Sequence, residues 1–293
     1  MRNEGFFGPG SMMWRVNREV FTLFGGARAL LMHAAHPLVA AGARQTGGYR
    51  RDPWMRLIRT LQLQNLVTFG SQDASQQAAD RINKLHRVIH GVDTVTGEWY
   101  DALDWEQLLW VHAALEVSTI DFYELAVGPL TADEKDRYHE ENKLAAELLL
   151  LPNDVVPATY SDMAIYVDDI IGCGRLRMSD VAQEVADLIT HRVVPARIKP
   201  IWHFVAFASV GTLDPRLREL YGFRWTPMQQ RWLDLNLATL RRSLPIIPNR
   251  FRMILPARWA EWRVADGGTA DGGTADGGTA DGGTASLPGG DPG

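Results

Sequence analysis

Apolar residues recur at three- and four-residue spacing along most of the chain, and the elements this predicts are helices. Asp104-Trp-Glu-Gln-Leu-Leu-Trp-Val-His112 opens on an N-cap residue and sets Leu108, Val111, His112 and Leu115 on one face. Thr131-Ala-Asp-Glu134 is a capping-box sequence, and it predicts a helix through Tyr138 and Leu144 to about Leu151, where Pro152 stops it. The same period predicts helices over about 14–44, 53–69, 72–91, 161–172, 179–194, 197–211, 214–221 and 227–243. Strand-like patterning is confined to Val92–Trp99, which reads as a short hairpin or loop. The predicted fold class is all-α, a single multi-helix globular domain of about eight to ten helices over residues 1–263.

From Ala265 the pattern stops, and four copies of Ala-Asp-Gly-Gly-Thr lead into Ser-Leu-Pro-Gly-Gly-Asp-Pro-Gly. This composition buries too little apolar surface to offset its ordering entropy, so residues 264–293 are expected to be a disordered tail. With 46% hydrophobic and 22% charged residues in 293, the rest can bury a sizeable core. Lys and Arg total 30 and Asp and Glu 35, five of the latter lying beyond Arg263, so the net charge of −5 belongs to the tail. A neutral body without a concentrated Lys/Arg tract argues against a nucleic-acid partner.

Cys173 is the single cysteine, which excludes an intrachain disulfide and a Cys-based metal framework. The first 14 residues lack the basic start and apolar core of a secretory signal, and the expected location is cytoplasmic. Ala29–Ala43 is nearly uncharged, but its 15 residues fall short of the about 20 that a spanning helix needs, so it reads as a buried helix. Peripheral membrane contact stays open, since a protein without a span can still draw an apolar substrate from a bilayer. No strongly basic amphipathic segment stands out in its favour. The oligomeric state is not legible.

The phosphate-loop, nucleophile-elbow, zinc-protease and dinucleotide signatures are all absent. What remains is a set of histidines on apolar faces. On a continuous helix His86 stands four residues after Ile82 and three before Ile89, with His90 near the stripe's edge. The plain reading of such a histidine is a core hydrogen bond. The functional one is a neutral imidazole presented to an iron centre. His112, His33 and His36 carry the same ambiguity, His36 being next to Pro37, which disturbs backbone bonding. Pro53 at a helix's first position is followed by Arg56, Arg59 and Thr60, on one face at i, i+3 and i+4. That face suits carboxylates or an oxygen ligand; equally it suits solvent and acidic neighbours.

Five ordered blocks, Gly5-Phe-Phe-Gly-Pro, Gly25-Gly-Ala-Arg-Ala-Leu-Leu-Met-His-Ala-Ala-His36-Pro, Arg51-Asp-Pro-Trp-Met-Arg-Leu-Ile-Arg-Thr60, Leu85-His86-Arg-Val-Ile-His-Gly91 and Tyr100-Asp-Ala-Leu-Asp-Trp-Glu-Gln-Leu-Leu-Trp-Val-His112-Ala, resemble the MpaB-type oxygenase family, which includes the catalytic domain of latex-clearing rubber oxygenase. The resemblance extends over roughly residues 3–245. It implies an all-helical, haem b-binding oxygenase fold. In the rubber-oxygenase branch one axial histidine, preceded by an Arg-x-x-Lys-Thr motif, serves the cleavage of alkene bonds with dioxygen. The iron ligand then carries onto His86, and the motif onto Arg56, Arg59 and Thr60, which would border the opposite face or the propionates. Arg59 departs from the motif's Lys; it keeps the charge but cannot give up its proton. The reading is a haem b-dependent oxygenase acting with dioxygen on an apolar, alkene-containing substrate, isoprenoid or lipid-like. The alternative is a non-catalytic helical binder of haem or an apolar ligand. A dinuclear carboxylate oxidase ranks last, because paired Glu-x-x-His motifs are missing.

Overall fold

A computed structural model describes residues 5–47, 65–191 and 196–265. The order is α1 (Met12–Asn17), α2 (Leu23–Ala35), α3 (Pro37–Thr46), a helical stretch at 65–69, α4 (Gln72–His86), β1 (His90–Val92), β2 (Trp99–Asp101), α5 (Trp105–Ala126), α6 (Ala132–Leu148), α7 (Tyr160–Gly172), α8 (Asp180–Thr190), α9 (Lys199–Gly211), α10 (Pro215–Leu220), α11 (Pro227–Ser243), α12 (Asn249–Arg252) and α13 (Leu255–Ala265). The expected all-α single domain is what forms.

Helix α5 is the axis of the core. Leu109, Trp110, Ala113, Ile120, Phe122 and Ala126 are buried on several sides of it, which is how a helix apolar all round behaves. Asp104 caps it, accepting from the N–H groups of Glu106 and Gln107 at 2.9 and 3.3 Å. Helix α2 crosses α5 closely because Gly25 has no side chain; a Cβ there would lie 2.7 Å from the Ser118 carbonyl oxygen. The capping box of α6 forms as read, Thr131 Oγ1 accepting from Glu134 N while Glu134 Oε2 accepts from Thr131 N.

The long helix expected over 14–44 is divided in three. Pro37 has no N–H and disfavours helical backbone before it, so His36 turns extended (φ −81°, ψ 118°) and α3 restarts with Pro37 in its first turn. The carbonyl this strands at Ala35 accepts from Arg177 N at 2.8 Å. The helix expected over 72–91 stops at His86, and the chain enters an antiparallel hairpin pairing His90 with Asp101, Gly91 with Tyr100 and Val92 with Trp99. Asp93 holds its turn, accepting from Thr96 N and Thr96 Oγ1 at 3.0 Å each and from Arg44 at 2.9 Å.

Helices α12 and α13 extend the fold past the last expected helix. Pro256 sits in the first turn of α13, where a missing N–H costs no hydrogen bond. The segment docks on the N-terminus: Ile254 N donates to Arg18 O at 2.9 Å, Arg252 pairs with Glu19 at 3.0 Å, and Ala257 and Ala260 pack with Trp14 and Phe69. The Ala-Asp-Gly-Gly-Thr repeat lies outside the described residues from 266 onward. Among the described residues no helix is long and apolar enough to cross a membrane.

Candidate functional site

His86 closes α4 at a fixed corner. One turn earlier Asn83 Nδ2 donates to Leu148 O at 2.9 Å, which ties α4 to the end of α6. Just beyond it, Gln45 Nε2 donates to Val88 O at 3.1 Å, and Ile89 packs with Ala41 and Tyr100. The imidazole is half-buried, while Leu85 and Val88 near it in sequence are exposed. Its Nδ1 is buried without a hydrogen-bond partner among the described residues, and desolvation holds its pKa below the usual histidine range. His86 is therefore a neutral imidazole at neutral pH.

His90 does not share that face. It leaves the helix for β1, and its ring stacks on Trp99 at 5.7 Å between centroids. A paired clamp at i and i+4 does not form. Arg56, Arg59 and Thr60 lie outside the described residues.

The other histidines divide by what holds them. His33 Nε2 donates to Val111 O at 3.0 Å, a core hydrogen bond between α2 and α5. His36, 3% exposed, lies 6.3 Å from the Trp110 ring; burial, with Arg175 adding to it, lowers its pKa to about 4. Its Nδ1 and the Trp110 Nε1 are both buried without partners among the described residues. A flat macrocycle cannot reach His36 without opening the α2–α5 core, whereas His86 stands at an edge.

His112 belongs to a buried network whose other members the sequence did not single out. Glu116 Oε1 accepts from His139 Nδ1 at 2.8 Å, and Glu116 Oε2 accepts from Asn142 Nδ2 at 3.1 Å. His112 Nε2 lies 3.4 Å from the same Glu116 Oε2, to which it donates, and 3.3 Å from the Asn142 amide nitrogen. His139 Nε2 reaches Pro157 O at 2.8 Å. Hydrogen bonds to His139 and His112 outweigh burial and bring the Glu116 pKa down to about 2. Both nitrogens of His139 and both oxygens of Glu116 are engaged, so the cluster is a brace rather than an open ligand set. The signal for it was a lone carboxylate in Ala113-Ala-Leu-Glu116-Val, four residues after His112.

Among the described residues no three His, Cys, Asp or Glu side chains converge so as to hold a metal ion. A cleft of about 550 Å³ between α4 and α6 is lined by Asp80, Lys84, Arg87 and Glu147 but not by His86, and its charges suit water better than an apolar ligand. Among the described residues the His86 imidazole suits the role of an iron ligand: it is neutral, partly desolvated and without a hydrogen bond on Nδ1. An acceptor orienting its Nδ1, common behind ligating histidines, is missing among those residues.

The family profile described as ER-bound oxygenase mpaB/B′/rubber oxygenase, catalytic domain, matches residues 14–242, more than three quarters of the chain. The chain belongs to that family. Its mpaB/rubber-oxygenase domain thus begins in α1 and ends in α11. Two curated relatives, uncharacterized proteins of Mycobacterium bovis and Mycobacterium tuberculosis, are each 23% identical over 229 residues, covering 76% of this chain and 89% of their own length. No solved structure gives a significant match. Helices α12 and α13, which fasten the N-terminus, lie beyond the family domain.

Proposed function

We propose that this chain is a haem b-dependent oxygenase that uses dioxygen on an alkene-containing apolar substrate, isoprenoid or lipid-like, with His86 as the protein's ligand to the iron. The observation that carries the reading is the His86 imidazole, kept neutral by burial and without a hydrogen bond on its buried Nδ1 among the described residues, in a member of an oxygenase family. Bound haem would supply the binding and activation of dioxygen.

The chain's own residues do the rest. Burial keeps the His86 lone pair unprotonated through the neutral range, and the ties from Asn83 and to Val88 hold the corner it stands on. In this reading Arg56 and Arg59 supply fixed positive charge for the propionate carboxylates or a polar ligand, and the Thr60 hydroxyl orients it. Arg59 holds its protons at neutral pH, so it acts as a hydrogen-bond donor and never as an acid.

Arg59 in place of the motif's Lys favours one second reading, a non-catalytic haem carrier on the same scaffold. Dioxygen uptake by the full chain reconstituted with haemin and supplied with squalene separates the two. Uptake dependent on both additions supports the oxygenase. Haem binding with no uptake supports the carrier, and no haem binding overturns both.

A further inference from the structure

Helix α13 turns its large apolar side chains outward. Leu255, Trp259 and Trp262 recur at i, i+4 and i+7, which places them on one face, and they are 55%, 67% and 57% exposed. The opposite face is small: Ala257 and Ala260 are buried against Trp14 and Phe69. Anchorage is firm, through Ile254 N to Arg18 O, Arg18 to Glu261 at 3.5 Å, and Arg263 Nη2 donating to Phe69 O at 2.6 Å. The tryptophan face is therefore held away from the body by the fold itself. Just before it, Ile246 and Phe251 are 83% and 63% exposed.

Charge complements this apolar face. Between positions 241 and 263 stand Arg241, Arg242, Arg250, Arg252, Arg258 and Arg263 against the single acid Glu261, a local excess of five positive charges, while residues 1–240 carry a net five negative ones. Arg252 and Arg263 are engaged by Glu19 and Phe69, while Arg241, Arg242, Arg250 and Arg258 are exposed.

We propose that α13, with the arginines around it, is a docking face for a bilayer surface containing anionic lipid. Two tryptophans on one face are the side chains that settle at the level of lipid headgroups, with an apolar ring body and a polar N–H. Arg258, exposed and next to Trp259 on the same helix, finds a phosphate partner there, and a helix lying in the interface plane needs no spanning length. The face is independent of haem, and it would bring an apolar substrate within reach of the protein without first dissolving in water.

The test is co-sedimentation of the full chain, without haemin, with phosphatidylcholine–phosphatidylglycerol vesicles and with pure phosphatidylcholine vesicles. Expected are binding to the first, a blue shift of tryptophan emission, and weakening with added salt. Trp259→Ser/Trp262→Ser should lose about tenfold or more in affinity, and Arg258→Ser about fivefold. Met228→Ser, at an exposed apolar position on α11, should bind as wild type. Circular dichroism checks that each variant stays folded. Absence of vesicle binding, or binding indifferent to the tryptophan pair, overturns the proposal. So does a wild-type dimer in gel filtration that the tryptophan pair turns into a monomer, since a second copy would then cover the face.

Discussion

Glu116 Oε1 and His139 Nδ1 lie 2.8 Å apart, both side chains fully buried, and join α5 to α6. His139 Nε2 is also 2.8 Å from a carbonyl, Pro157 O, which can only accept. Both ring nitrogens therefore carry protons, and His139 is a buried imidazolium facing a carboxylate. Its pKa is raised, the pull of Glu116 and Pro157 outweighing desolvation.

Removing one member of a buried pair leaves the other uncompensated, at about 3–5 kcal/mol. Glu116→Gln should lower unfolding free energy by that order, read by denaturant titration. The pair also sets a pH window. Because the His139 pKa is raised on folding, its stabilisation is complete below the unfolded value near 6.5 and is lost as pH rises through the folded one. The Glu116 pKa is lowered to about 2, so its contribution is present above the model-compound value of 4.5 and is lost as pH falls toward 2. The Tm difference between wild type and Glu116→Gln should be largest between pH 4.5 and 6.5 and shrink on the alkaline side. A difference that grows above that window would contradict the imidazolium assignment.

His112→Ala removes a donor to the buried Glu116 carboxylate, 3.4 Å away. The expected loss is about 1–3 kcal/mol of stability with no change in any haem spectrum. A lost Soret band in a folded variant would move the ligand from His86 to His112.

Gly25→Ala forces a Cβ to within 2.7 Å of Ser118 O, backbone that cannot rotate away. Opening the α2–α5 crossing should cost about 1–3 kcal/mol, visible as a lower midpoint in urea. An unchanged midpoint would show that the two helices separate freely.

Truncation after Ala265 removes only the polar repeat and the short segment that follows it. Tm should stay within about 2 °C of wild type, since such a segment has little apolar surface to contribute.

The helices were legible where local chemistry marks a start: Asp104 and Thr131 with Glu134 act as read, whereas α6 ends at Leu148, ahead of Pro152, in a turn that puts Leu150 at φ 65°. The break at His36 was not, because the apolar period runs straight through Pro37 and only the proline's missing N–H interrupts it. The end of α4 was hidden the same way: Ile89 keeps the helical spacing but is buried from a hairpin turn against α3. Glu116 needed partners 23 and 26 residues away, on another helix, which no local window contains. In α13 the usual rule inverts, since the alanines face the core and the tryptophans face out. Of the candidate site, the half-burial of His86 is in keeping with its place on the apolar stripe of α4, whereas a pairing with His90 does not form.

The proposed chemistry depends first on the iron ligand. Visible spectra of the full chain titrated with haemin, alongside His86→Ala and His90→Ala, test it, with helical circular dichroism confirming that each variant is folded. The account predicts about one haem per chain, a Soret band lost or shifted in His86→Ala, and little change in His90→Ala, because the iron–imidazole bond is the main directional attachment of the cofactor. A wild-type chain that refuses haemin under both reducing and oxidising conditions, or a Soret band that survives His86→Ala unchanged, would contradict it.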